Sequence, residues 1–209
     1  MSNNIKLNFI NKSNDVNNSN VVIFQKNISD TFDEIAIAWK VIKNCGRLDN
    51  HPFNYPIIFQ IAASDSYGNY TPQLTACNRN AYEIVKSTSG NVLQSSSTPA
   101  TNPEEVEIRN NLTNGSINAH CYRDGKLLAT KTNLVPGQKA IFKFEPSIYI
   151  GVASQIEEGS FISSAVISEI NTKITILGIA SADIVMTGGS SEPFNFSLEN
   201  VTYIPVELE

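Results

Sequence analysis

Short runs of Val, Ile, Phe and Tyr recur along the chain, and Asn, Gly or Pro cuts each one off before it reaches helix length. "IKLNFI", "NVVIFQK", "PIIFQIAA", "EVEIRNN", "QKAIFKF", "SIYIGVA", "TKITILGI", "ADIVM" and "FNFSLENV" are such runs. Many short strands with turn signals between them specify a β-sandwich or barrel, because βαβ units would need polar-faced helices of about ten residues between the strands. A chain of 209 residues can bury a full core as one large β domain. The expected fold is therefore all-β: an antiparallel β-sandwich, or a partly open barrel, over residues 1–209 as a single domain.

One segment admits two readings. "TFDEIAIAWKVIKN" opens with a capping box, Thr31 to Glu34, and puts Ile35, Trp39 and Ile42 on one helical face. As a strand, 35–42 places Ile35, Ile37, Trp39 and Val41 on one side and Ala36 and Ala38 on the other. The strand divides large from small more cleanly, and both readings stay open.

Two hairpin signals organise the middle of the chain. "NG" at 114–115 and "DG" at 124–125 suit type I′ turns, whose two central residues both need positive φ. Together they predict a three-stranded meander over about 105–132. In that register Ile108 and Leu128 face Cys121, and Leu112, Ile117 and Ala119 share their buried side. Glu107, Arg109, Asn111, Asn118, His120, Tyr122 and Lys131 fall on the polar side, with His120 partly exposed. His120 and Cys121, though adjacent, then point to opposite faces and cannot converge on one metal or substrate.

Charge excludes one class of partner. The net charge is -5 and the pI about 5.1, which gives no basic footprint for nucleic acid. Only 17% of residues are charged, while Asn alone is about one residue in eight, well above ordinary usage. The surface is expected to be polar but weakly charged. The N-terminus lacks a basic region followed by an apolar run, so no secretory signal is read. "ITILGIASADIVM" is broken by Asp183 and is too short for a transmembrane segment. The expected location is the cytoplasm. The N-x-S/T sequons at Asn17, Asn69, Asn111 and Asn195 follow from composition and are not read as glycosylation sites. Three cysteines, Cys45, Cys77 and Cys121, form no paired framework and read as free thiols filling apolar space in a reducing compartment.

Chemistry-bearing patterns are sparse. No metal or cofactor is expected, because two histidines and three scattered cysteines offer no short-spaced ligand pair. His51 lies in the Pro-rich "DNHPFNYP", read as a loop, and no G-x-S-x-G elbow accompanies either histidine. "TGGSSEP" at 187–193 has no following Lys or helix and reads as a solvent turn. "DSYGNY" lacks the alternating ligands of an EF-hand. Glu157 and Glu158 read as a solvated turn. Two features stand out instead. His51, Phe53, Tyr55, Tyr67 and Tyr70 place aromatics in loops at 51–70, a cheap source of contact area for stacking on a ligand. A Ser/Thr/Pro-rich stretch, about 87–103, reads as an exposed loop.

"VVIFQKN" (Val21 to Asn27), followed about ten residues later by "IAWK" (Ile37 to Lys40), resembles a signature near the N-terminus of RhiA-type proteins, an uncharacterised bacterial group. The resemblance covers about the first 60 residues and implies a small cytoplasmic bacterial β-protein, with no catalytic residues to carry over.

Two functional expectations follow. The first is a non-enzymatic structural or self-assembling cytoplasmic protein that forms homo-oligomers, since a weakly charged surface opposes self-packing little. The alternative is a lectin-like or membrane-surface, cytolysin-like ligand-binding module that meets a carbohydrate or lipid headgroup through the aromatic loops.

Overall fold

The structure is a computed structural model and describes residues 4–17, 19–29 and 36–205. The candidate capping box at Thr31 to Glu34, and Ile35, lie outside the described residues. The fold is all-β. Among the described residues one helix occurs, α1 (Ser164–Glu169), capped by the Ser163 hydroxyl, which accepts from Val166 N.

In chain order the first strands are β1 (Asn4–Asn11), β2 (Val21–Phe24), β3 (Ala36–Ile37), β4 (Lys40–Ile42) and β5 (Asn50–Pro56). Then follow β6 (Phe59–Asp65), β7 (Leu74–Ala76), β8 (Ala81–Ser87) and β9 (Gly90–Ser95). The "EVEIRNN" region and its neighbours give β10 (Val106–Asn110), β11 (Ile117–Arg123), β12 (Lys126–Leu134) and β13 (Lys139–Phe142). The last are β14 (Ser147–Val152), β15 (Phe161–Ile162), β16 (Thr172–Thr175), β17 (Ile179–Gly189) and β18 (Glu192–Tyr203). The sequence reading takes 1–209 as one domain; the contacts gather into two compact units.

Unit 1 draws on Met1–Lys26, Ile35–Ile57 and Pro146–Glu209. It holds one sheet in the order β18-β17-β1-β5, a second in the order β16-β14-β2-β4, and the pair β15-β3. β1 runs parallel to β17, with Lys6 opposite Ser181, and antiparallel to β5, with Leu7 opposite Phe53. "HPFNYP" is thus an edge strand rather than a loop. Pro52, opposite Asn8, has no N–H to offer, and an edge position tolerates that loss. β2 is central, and all four of its residues are buried. The described part of 35–42 is extended, in two short strands. Ala36 and Ala38 join a core cluster with Val22 and Phe24, and Val41 packs against it instead of siding with Trp39, because the break at Ala38–Trp39 resets the alternation.

Unit 2 draws on Asn27–Glu34 and Ile58–Glu145. Its two sheets run β13-β10-β8-β9 and β12-β11-β6-β7. The second predicted hairpin forms: Asp124 and Gly125 have φ of 54° and 70°, and Arg123 faces Lys126. A bulge after Cys121 then sets that residue opposite Ala129 rather than Leu128. The first predicted hairpin does not form. Only Gly115 of the "NG" pair has positive φ, so a type I′ turn is ruled out, and β10 pairs with β13 and, in parallel, with β8. The chain instead crosses from one sheet to the other. The buried Asn110 side chain supports the crossing by donating to Gly115 O (3.0 Å) and Leu134 O (2.8 Å) and accepting from Leu112 N (3.1 Å).

The stretch 87–103 is not one loop. Residues 90–95 form β9 against β8, and the remainder is tied down from below. Glu107, expected on the polar face, is fully buried. Its carboxylate accepts from Arg109 Nη2 (2.7 Å), Lys139 Nζ (2.7 Å) and Thr101 N (2.8 Å), while Arg109 donates to Thr98 O and Pro99 O. Ile108, Leu112, Ile117, Ala119, Cys121 and Leu128 are all buried, as the face assignment predicts. Cys45 is buried as well, whereas Cys77 is exposed; all three thiols are free.

Candidate functional site

Of the five aromatic-loop residues, three belong to unit 1 and do not form a surface site. Phe53 and Tyr55 point from β5 into the core, 9% and 4% exposed, with the Trp39 ring 6.2 and 5.7 Å from theirs. The Tyr55 hydroxyl donates to Gln25 Oε1 (3.0 Å). His51 is half-buried on the same strand, opposite Phe9. Strand alternation carries these rings inward, so the expected loop arrangement fails for them.

Tyr67 and Tyr70 are different. Both sit on the β6–β7 loop of unit 2, 90% and 61% exposed. Asp65 shapes that loop: Oδ1 accepts from Tyr67 N and Asn69 N (both 2.9 Å), and Oδ2 accepts from Asn69 Nδ2 (2.8 Å). Gly68, at φ 83°, makes the bend possible. The bonds from the Asn69 side chain and backbone, then those of Tyr67 and Gly68, hold the Asp65 carboxyl below the usual carboxylate range. "DSYGNY" is thus an Asp-closed turn, its oxygens committed to its own loop. Two exposed rings are thereby presented without the entropy of a loose loop.

Behind Tyr70 lies a bonded relay. Its ring packs on His120 at 5.1 Å between centroids, and Tyr122 follows at 6.2 Å. His120, expected to be partly exposed on the polar side, is buried between Ala62 of β6 and Thr130 of β12. The Thr130 hydroxyl donates to Ala119 O, so it accepts from His120 Nδ1–H (2.9 Å). Nε2 is then the acceptor for the Ser64 hydroxyl (2.9 Å), and Ser64 Oγ accepts in turn from Asn118 Nδ2 (3.3 Å). Burial pushes the His120 pKa down and keeps the ring neutral. The Ser–His contact has the spacing of a nucleophile and base, but a threonine hydroxyl stands behind Nδ1 where a triad places a carboxylate, and Ser64 is buried.

Beside this loop a cleft of about 420 Å³ opens between the end of β6 and the β8–β9 hairpin; Ser64, Asn69, Tyr70, Lys86, Ser89 and Asn91 contribute to its wall. A second depression of about 290 Å³, bordered by Tyr67 and the 112–116 crossing, shares Asp65, Lys86 and Asn91 with the first. The two form one groove flanked by an exposed tyrosine at each part. Comparison with known families, curated proteins and solved structures finds no match. Geometry alone therefore carries the functional argument.

Ser64, Lys86, Asn69 and Asn91 escape a sequence reading. Asn91 lies inside the stretch read as an exposed loop at about 87–103 and Lys86 just before it, and nothing local marks Ser64 as lying over a histidine 56 residues away. Among the described residues no three His, Cys, Asp or Glu side chains form a metal-holding group, and no helix is long and apolar enough to cross a membrane.

Proposed function

We propose that unit 2 is a non-enzymatic binding module that takes a polyhydroxylated, sugar-like ligand in the groove flanked by Tyr67 and Tyr70. The observation that carries the reading is the pair of exposed tyrosine rings on a loop locked by Asp65, beside a cleft walled by hydroxyl and amide groups. Aromatic faces stack on the C–H faces of sugar rings, and Ser and Asn side chains match hydroxyls as donor or acceptor. Threonine behind His120 supports a binding role over hydrolysis, because a neutral hydroxyl gives little stabilisation to an imidazolium. The test is a panel of immobilised glycans with the wild type, Tyr67→Ala and Tyr70→Ala. Binding lost in both variants, with melting temperatures kept within a few degrees, is the expected result. A wild type that binds no glycan, or variants that bind as well as it does, would overturn the reading.

A second reading, homo-oligomer formation, is supported by β18. Among the described residues this strand of 12 residues pairs only with β17, and its other edge has no strand partner. Pro193 and a bulge at Asn200 (φ 50°) guard its two ends, so the stretch able to pair is Phe194 to Glu199, which carries one charge. β2, equally poor in charge, is central and buried and offers no free edge. Ser197 is exposed, and Ser197→Lys is expected to disperse any assembly. Light scattering from a monomer at tens of micromolar would remove this reading.

A further inference from the structure

Resting on the sugar-site reading, we infer that the ligand is a linear oligosaccharide with a carboxylated ring inside its chain, and that Lys86 is the residue selecting it. The chemistry of the groove wall leads there. Only two charged side chains line the two depressions, Asp65 and Lys86. The Asp65 carboxylate is committed to three donors of its own loop, Tyr67 N, Asn69 N and Asn69 Nδ2. Lys86 is exposed and makes no ion pair among the described residues. The groove therefore offers one uncommitted charge, and it is positive.

Its position matters as much as its sign. Lys86 lies on the wall common to both depressions, with Tyr70 bordering one and Tyr67 the other. A ligand whose carboxylate meets this ammonium extends past it in both directions, with a ring available for stacking on each tyrosine. A ring in mid-chain satisfies that arrangement, whereas a terminal acidic sugar would use only one depression. An ammonium–carboxylate hydrogen bond is also stronger than its neutral counterpart, so it discriminates between an acid and its ester.

Titration calorimetry with galacturonate oligomers, their methyl esters and a sialylated trisaccharide tests the inference. For the wild type we expect tighter binding of longer acid oligomers, with the free acid preferred over the ester by about tenfold, as a charged hydrogen bond allows. Lys86→Gln, at an exposed position, should keep its melting temperature, bind the ester as the wild type does, and lose the preference for the acid. Equal binding of acid and ester by the wild type, a preference that survives in Lys86→Gln, or a preference for the sialylated probe would each overturn the inference while leaving a sugar site standing. A wild type that binds none of these probes or any neutral glycan removes the sugar site itself.

Discussion

The ring of Tyr70, on an exposed loop, rests on the ring of His120, a buried strand residue bonded through both nitrogens. The two centroids are 5.1 Å apart and the planes 32° from parallel. A surface loop is thus seated on a neutral histidine, and the state of the histidine bears on the loop. His120 has its pKa lowered by burial, below the ordinary 6.5. The unfolded chain then binds more protons than the folded one in the window beneath 6.5. The stabilisation is complete above that pH and declines as pH falls toward the lowered value. In a pH series of thermal melts, His120→Gln should flatten the wild-type decline between neutral and mildly acidic pH. His120→Ala should cost about 1–3 kcal/mol, because Ser64 and Thr130 lose a buried partner.

Cys121 is fully buried, and burial raises its thiol pKa above the ordinary value. Cys121→Asp places an unpaired carboxylate in an apolar site and should cost at least about 3 kcal/mol. A thiol reagent should modify exposed Cys77 in the folded protein and reach Cys121 only on denaturation. Mass spectrometry after brief labelling reads both outcomes.

Glu107 gives an acid-sensitive clamp. Burial would push its carboxyl up, but bonds from Lys139, the Thr101 backbone and Arg109 outweigh that and bring it down to about 2. A depressed carboxyl stabilises fully above its unfolded value near 4.5, and the contribution is lost as pH falls from there toward about 2. Glu107→Gln should remove that part of the acid transition and cost about 2–3 kcal/mol at neutral pH. Protease susceptibility around 96–105 should rise in the same variant, since Thr101 loses its anchor.

Gly151 on β14 has no room for a methyl group. A Cβ there would lie 2.4 Å from Ile170 Cβ and 2.7 Å from Ile170 Cα. Gly151→Ala should destabilise unit 1 by about 1–3 kcal/mol through overpacking, read as a lower denaturation midpoint. Gly151→Ala combined with Ile170→Ala should recover part of the loss only if side-chain crowding, rather than the backbone contact, dominates.

The apolar runs were legible because each is self-contained: all nine quoted at the outset overlap a strand. β5 was hidden by Pro52 and Pro56, which mark a loop unless the strand is known to be an edge. The same masking assigned Phe53 and Tyr55 to a surface. The "NG" signal at 114–115 misled because φ at Asn114 is set by the buried Asn110 crossing, a non-local demand that turn propensity does not register. Of the groove, Tyr67 and Tyr70 were visible as loop aromatics. Lys86 was not, since its place there depends on how β8 lies beside β6 and the 112–116 crossing.

The parallel pairing of β1 with β17 has a consequence for synthesis. Asn8 meets Asp183, 175 residues further along the chain. Every strand of unit 2 has left the ribosome before β17 is made, so that unit can close while the sheet containing β1 still lacks two of its four strands. Until translation reaches that point, β1 has β5 alone as a sheet neighbour and its other edge is open. The interval between those two events is when this chain is most vulnerable to aggregation. A chaperone that covers the open edge of β1 would protect the chain through that interval.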